Sequence, residues 1–228
     1  MSIHALIPCA GSGARMPGDV PKQYRIVAGA SVLAHTVRAF LRCARVDSVC
    51  VVVQPDDAHA RLAVGDDPRV RIVPAGGPSR AASVAGGLAW LRDAGADADD
   101  WVLVHDAARC CITPDAIARL VETCVDDPVG GLLALALPDT LKRADGADRV
   151  ESTVPREGLW LAQTPQMFRL DRLRDALRLA PAVTDEASAI EAAGLRPRLV
   201  QGSSSNFKVT YADDLEVAAA ILGARQGR

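Results

Sequence analysis

No apolar run in this 228-residue chain approaches the ~20 residues that a membrane-spanning helix needs, so no such helix is expected. The start goes straight into an apolar segment, Ile3 to Cys9, with no basic leader or small-residue cleavage site, and a cytoplasmic protein is expected. None of the six cysteines (Cys9, Cys43, Cys50, Cys110, Cys111, Cys124) makes a Cys-x-x-Cys pair, and several fall at apolar positions. That pattern excludes a zinc frame and suits reduced, buried thiols. His4, His35, His59 and His105 are scattered and form no ligand set. A formal net charge of −2 gives no bulk attraction to nucleic acid or to an anionic membrane. There is no long repeat and no low-complexity tract. What remains, 49% hydrophobic and 24% charged, is a globular chain whose length suits one α/β domain over 1–228.

The most informative stretch is Pro8-Cys9-Ala10-Gly11-Ser12-Gly13-Ala14-Arg15-Met16, followed by Pro21-Lys22-Gln23-Tyr24. A buried strand feeds a loop in which Gly11 and Gly13 permit backbone angles that a Cβ resists, so amides can turn inward as a nest for an anion. Arg15 supplies a planar fork for phosphate oxygens and Lys22 a mobile point charge. The combination reads as a polyphosphate site at a strand end. Met16 stands where a dinucleotide fingerprint needs its third glycine, and Ala14-Arg15 stand where a P-loop needs its Lys-Ser/Thr.

Strand and helix patterns alternate along the rest. Ser31 opens a helix with Leu33, Val37, Phe40 and Leu41 on one face. Ser48 to Gln54 reads as a strand, Asp56 to Val64 as a helix, and Val70 to Val73 as a strand. Gly76-Gly77-Pro78 turns the chain into a helix from Arg80. Trp101 to Val104 is a strand closing on His105-Asp106, Pro114 starts a helix, and Gly131 to Leu137 is a strand. This alternation predicts a mainly parallel sheet with helices on both faces and a ligand site at the carboxyl ends of the strands. Pro138 to Gly158 then turns polar. Thr140 to Arg143 and Arg149 to Val154 read as a ribbon around Asp145-Gly146. A lone ribbon is only marginally stable in water, which points to an arm, 138–158, leaning on a second subunit. Beyond it, Leu159 to Ala162 is apolar, Leu170 to Leu179 is helical, and Thr184-Asp185-Glu186 opens another helix. Leu199-Val200 and Asn206 to Thr210 read as strands, and Ala212 to Leu222 as a closing helix.

Seven blocks now stand in order: Pro-x-Ala-Gly-x-Gly-x-Arg-Met at 8–16, Pro-Lys-Gln-Tyr at 21–24, Val-His-Asp-Ala-Ala-Arg at 104–109, Asp-Thr-Leu-Lys at 139–142, Thr-Pro-Gln at 164–166, Thr-Asp-Glu-Ala-Ser at 184–188 and Lys-Val-Thr at 208–210. Together they resemble the 2-C-methyl-D-erythritol 4-phosphate cytidylyltransferases of the nonmevalonate isoprenoid pathway, from Ile3 to about Leu222. The resemblance implies a Rossmann-like nucleotidyltransferase fold and a homodimer whose subunits exchange the β-arm. It implies transfer of CMP from CTP to methylerythritol 4-phosphate, with release of pyrophosphate.

The resemblance also implies site roles. Arg15 and Lys22 hold the triphosphate and the charge that develops on it. Arg156, reaching across from the other subunit, and Lys208 position the acceptor's phosphate. Asp106 and Thr140 meet the polyol hydroxyls, with Thr164 and Thr184 as further candidates. Cys9, Ala10, Gly11, Gly13, Gly76, Gly77, Ser83 and Asp106 border the CTP site, with cytosine read largely by backbone. Mg2+, or another divalent cation, is held mainly by the CTP phosphates, its protein ligand unknown. Cys9, Pro78 and Cys110 depart from the family's usual alanine, acidic residue and proline.

Most of these residues also have a plain structural reading. Asp106 can cap a loop, Arg109 can sit in an ion pair, Lys208 can guard a strand edge, and Thr184 can cap a helix. Cys110 and Cys111 read as small apolar fillers, and Lys142 and Arg143 as arm-surface charges. Three other functions compete: a ribitol 5-phosphate cytidylyltransferase of the same fold, a nicotinamide-dependent oxidoreductase, and a catalytically silent nucleotide binder. The missing third glycine and Gln54 in place of an acid after the second strand count against the oxidoreductase. A second enzyme fused in the same chain is not expected at 228 residues.

Overall fold

β-Branched runs and amphipathic stripes produce the alternation that the sequence predicts. The structure, a computed structural model, describes residues 1–11, 20–180 and 183–226. Arg15, Ser12 and Gly13 lie outside them.

In chain order the elements are β1 (Ile3–Pro8), a 3-10 turn (Lys22–Tyr24), β2 (Ile26–Val27), β3 (Ala30–Ser31), α1 (Val32–Arg42), β4 (Ser48–Val52), α2 (Ala60–Val64), β5 (Val70–Val73) and α3 (Arg80–Asp93). There follow β6 (Trp101–Val104), α4 (Pro114–Cys124), β7 (Gly130–Ala136), β8 (Leu141–Ala144), β9 (Val150–Val154), β10 (Trp160–Arg169), α5 (Leu170–Leu179), α6 (Glu186–Ala192), β11 (Arg198–Gln201) and α7 (Ala212–Gln226). Helix starts follow the capping rule: Ser31, Ser79 and Thr113 each accept an amide hydrogen from the first turn, and Pro114 occupies a first-turn position.

One seven-stranded sheet has the order β11-β7-β10-β6-β1-β4-β5. β10 runs antiparallel to both its neighbours, and the other pairs are parallel. Side chains alternate across it. Ala5, Ile7, Val49, Val51 and Leu103 pack with Leu33, Val37, Ile117 and Leu120 of α1 and α4. Leu6, Cys50, Val52, Val102 and Val104 pack with Val84, Leu88, Leu173 and Ile190 of α3, α5 and α6. The period of two thus buries both faces, which is why these strands read as continuous apolar runs. From β1 the chain builds outward to β4 and β5, then returns to place β6 on the other side. This reversal makes a crevice at the carboxyl ends of β1 and β6.

Three expectations need correction. The helix foreseen over 56–64 begins at Ala60, because the Asp57 carboxylate accepts the amides of His59 and Ala60 (3.0 and 2.8 Å) and holds the preceding residues in a turn. Residues 206–210 form no strand. The Val209 amide donates to Ala108 O (2.9 Å), docking this segment beside the loop after β6, so Lys208 guards no strand edge. α6 is capped by Asp185, not Thr184: Asp185 accepts the Ser188 amide at 3.0 Å. The apolar stretch 159–162, given no element in the sequence, leads into the ten-residue β10, which begins at Trp160.

β8 and β9 pair only with each other among the described residues, and nearly all their side chains are exposed. All six cysteines are buried and free. No helix among the described residues is long and apolar enough to cross a membrane.

Candidate active site

The carboxyl ends of β1, β4 and β6, the turn after β5 and the first residues of α3 surround a cavity of about 530 Å³. Cys9, Ala10, Gly11, Gly77 and Asp106 line it from loops and Ser83 from the first turn of α3, and Lys22 and Lys208 reach it from opposite ends of the chain.

Two glutamine amides fix the walls. Gln23 Nε2 donates to Cys9 O (3.1 Å) and Gly11 O (2.9 Å), which ties down the described part of the glycine loop. Gln54 Nε2 donates to Ala10 O (3.1 Å) and Gly77 O (3.5 Å), linking that loop to the turn after β5. The two walls are in van der Waals contact at Gly76, where a Cβ would lie 2.5 Å from Ala10 Cβ and 2.6 Å from Val53 O, so only glycine fits. Ser83 Oγ accepts the Gly77 amide (3.1 Å) and donates to Ser79 O (3.0 Å), making it a brace for the turn. The amides of Cys9 and Gly76 are likewise bonded within the protein, to Val52 O and Val53 O. These positions therefore keep spare carbonyl lone pairs and small size to offer a ligand. Burial pushes the Cys9 thiol up to about 12, which makes it a filler and not a nucleophile.

The charged side of the cavity centres on Asp106. Its Oδ1 accepts Arg80 Nε at 2.8 Å; its Oδ2 meets Lys208 Nζ at 2.9 Å and Arg109 Nε at 3.5 Å. Burial alone would raise the carboxyl, but Arg80, Lys208 and Arg109 outweigh it and hold Asp106 well below the usual carboxylate range. Behind it runs a neutral relay. The Asp106 amide donates to Thr164 Oγ1 (3.1 Å), which sits 3.0 Å from His105 Nδ1, while His105 Nε2 sits 3.3 Å from Arg109 O. A carbonyl only accepts, so the imidazole proton belongs on Nε2 and the Thr164 hydroxyl donates to Nδ1. Burial pulls the His105 pKa down to about 3 and keeps this ring neutral. Lys22 Nζ donates to Val209 O (2.9 Å), beside Lys208.

Of the residues singled out in the sequence, Lys22, Lys208, Asp106, Ser83, Gly77 and residues 9–11 line this cavity, and Gly76 packs behind it against Ala10 and Val53. Arg109 is in the ion pair that its plain reading foresaw, and it also donates to Asn206 O at 2.7 Å. Thr164 is buried behind Asp106 and does not line the cavity. Thr184 is exposed and lines a different cleft, of about 490 Å³, with Trp160 and Asp185. Thr140 and Arg156 are exposed at the base of the arm, where Arg156 donates to Pro138 O, and neither lines the cavity of its own chain. Arg15 and Gly13 lie outside the described residues.

Sequence reasoning missed Gln23, Gln54, Arg80 and Glu186. Arg80 comes three residues after Gly77, and Glu186 belongs to the Thr-Asp-Glu block, but nothing in the sequence pairs position 80 with position 186. Among the described residues no group of three or more His, Cys, Asp or Glu is placed to hold a metal ion. Asp106 is committed to three cations and the buried Glu186 to Arg80, so the acids present do not fit a protein-held metal site.

Comparison with known proteins places nearly the whole chain among similar sequences and folds. Residues 3–224 match the family described as IspD, 2-C-methyl-D-erythritol 4-phosphate cytidylyltransferase. The 2-C-methyl-D-erythritol 4-phosphate cytidylyltransferase of Laribacter hongkongensis (strain HLHK9) is 58% identical over 222 residues, covering 96% of this chain and 95% of that protein. A crystal structure of 4-diphosphocytidyl-2C-methyl-D-erythritol synthase superposes with a TM-score of 0.87 at 42% identity, over 97% of this chain and 98% of the other. The Francisella tularensis 2-C-methyl-D-erythritol 4-phosphate cytidylyltransferase superposes with a TM-score of 0.81 at 33% identity, over 97% and 100% of the two chains.

Proposed function

The chain belongs to the 2-C-methyl-D-erythritol 4-phosphate cytidylyltransferase family, and from that premise we propose that it transfers CMP from CTP to 2-C-methyl-D-erythritol 4-phosphate. The products are 4-diphosphocytidyl-2-C-methyl-D-erythritol and pyrophosphate, and the enzyme works in the cytoplasm as a homodimer. The observation that carries this reading is the meeting of Lys22, Lys208 and Asp106 in one cavity at the strand ends.

The chemistry follows from charge. The attacking group is a phosphate monoester, largely dianionic at neutral pH because its second pKa is ~6. It needs little from a general base. The barrier is the approach of one anion to another: two unit charges 4 Å apart repel by about 4 kcal/mol at an effective dielectric of about 20. The protein's task is therefore to neutralise and align. Arg15 and Lys22 hold the triphosphate and stabilise the charge passing to the departing pyrophosphate. Lys208 holds the acceptor's phosphate, aided by Arg156 of the partner subunit. Asp106, kept ionised by its cations, accepts hydrogen bonds from the polyol hydroxyls, with Thr140 beside Arg156 on the arm. An in-line attack on the α-phosphorus then forms the new P–O bond as the bond to pyrophosphate breaks. The carbonyls of residues 9–11 and 77 suit the amino group of cytosine, a donor. A divalent cation would arrive on the nucleotide's own phosphates and supply charge neutralisation there.

The test is pyrophosphate release with CTP and Mg2+, comparing methylerythritol 4-phosphate with ribitol 5-phosphate. Release with the first alone is expected. Release with ribitol 5-phosphate alone would overturn the acceptor assignment, and release with neither would overturn catalysis itself.

A further inference from the structure

We propose that Arg80 and Glu186 form a buried positioning pair that aims the Asp106 carboxylate, and thereby sets how strictly the enzyme demands a hydroxyl-bearing acceptor. The proposal rests on the acceptor-site reading of Asp106 given above. Arg80 Nη1 and Nη2 close on Glu186 Oε1 and Oε2 at 2.7 and 3.0 Å, a bidentate fork that fixes the guanidinium plane. The remaining edge, Nε, donates to Asp106 Oδ1 at 2.8 Å. Glu186 is 1% exposed and Asp106 7%, so neither carboxylate swings freely into water. Both ends of this bridge are anchored independently. α3 begins at Arg80 behind its Ser79 cap, and α6 begins at Glu186 behind its Asp185 cap. The Asp106 amide is itself held by Thr164.

The consequence is a carboxylate with few acceptor positions left. An ionised Asp has about four lone-pair sites. Arg80 takes one on Oδ1, and Lys208 and Arg109 face Oδ2, which leaves a single direction on Oδ1 for a hydroxyl donor. If Arg80 lost its hold on Glu186, its two Nη groups would be free to turn onto Asp106 and occupy that direction. Phosphate would still be gripped by Lys208. The pair therefore governs recognition of the hydroxyl and not of the phosphate.

The experiment compares kcat/KM for methylerythritol 4-phosphate with kcat/KM for an analogue that keeps the phosphate and lacks a hydroxyl. It is run on the wild-type enzyme and on Asp106→Asn, Glu186→Gln and Arg80→Lys. Misfolding or a general structural defect lowers both values together and leaves their ratio unmoved. The expected result is a loss of about tenfold in the ratio for all three variants, the scale of one hydrogen bond to a charged group. Arg80→Lys keeps the positive charge but has neither the fork to Glu186 nor the Nε that holds Asp106 Oδ1, so it reads the loss of aim on the carboxylate directly if Glu186→Gln does not fold. A wild-type ratio in Arg80→Lys and Glu186→Gln, with the ratio lost in Asp106→Asn, would overturn the positioning role alone. A wild-type ratio in Asp106→Asn would instead remove Asp106 from the acceptor site, and the proposal with it.

Discussion

At the scale of single residues, the site is built from groups whose charge state the surroundings decide. Lys22 sits half-buried at the cavity wall, with a hydrogen bond to a backbone carbonyl and no role in a core cluster. Lys22→Ala is therefore expected to lower turnover by about 10²–10³-fold, the scale of losing one preorganised donor to developing charge. Its melting temperature should remain within a few degrees of wild type, and undiminished turnover would remove Lys22 from the chemistry. His105 makes a different prediction. Its folded pKa is pulled from 6.5 to about 3. Between those values the unfolded chain binds a proton that the folded imidazole refuses, so the ring's contribution to stability is full above about pH 6.5 and falls as pH drops. The slope from this one group is about 1.4 kcal/mol per pH unit. Urea midpoints at pH 7 and pH 5 should differ more in wild type than in His105→Gln, whose amide offers one acceptor and one donor group and does not titrate; equal differences would contradict the buried-neutral assignment. Lys22, Lys208 and Asp106, which line one cavity, stood out in the sequence because each lies in a dense local block. Arg80 and Glu186 did not, since their meaning arises only when two helix starts are brought together in space.

At the scale of elements, β4 and β6 read plainly because both of their faces are buried and apolar residues dominate them, and β5 read as a short apolar strand although Arg71 is exposed at the sheet edge. β10 was harder: its middle carries Gln163-Thr164-Pro165-Gln166, and the register with β7 shifts between Ala162 and Gln166, so the alternation is broken where the strand passes the site. Residues 206–210 erred the other way. Phe207 and Val209 alternate with polar neighbours as a strand would, yet Val209 is buried in the cluster beneath α7, and the segment is held by single contacts to Ala108 and Thr164 in place of a ladder. The glycine turn after β5 was read as a turn, and its closeness to Ala10 adds a test. Gly76→Ala places a methyl against Ala10 and Val53 O. It should cost about 1–3 kcal/mol of stability, as overpacking does, and should weaken CTP binding more than acceptor binding, because it parts the two walls that Gln54 joins. Calorimetric titration with CTP checks this; unchanged affinity would show that the slot tolerates a wider gap.

At the scale of the whole molecule, the arm poses the question a single chain leaves open. Leu141, Val150 and Trp160 are exposed on or beside it, and β8 and β9 bring no core of their own. A ribbon of this kind gains stability by packing on something else. Arg156 and Thr140 stand at its base, outside the cavity their own chain encloses, whereas Lys22, Lys208 and Asp106 stand inside it. The proposed two-fold dimer, with each arm reaching the other subunit's cavity, would complete both sites at once. The arrangement has an arithmetic consequence. In a dimer of one Arg156→Ala subunit and one Lys22→Ala subunit, one site receives an intact lysine and an intact arginine, while the other receives neither. Each mixed dimer should then carry one working site. Because random exchange of equal amounts makes half the dimers mixed, the mixture should regain about a quarter of wild-type activity from two inactive parents. If Arg156 instead served its own chain, every site in every dimer would lack one of the two residues, and verified heterodimers would stay as inactive as the parents.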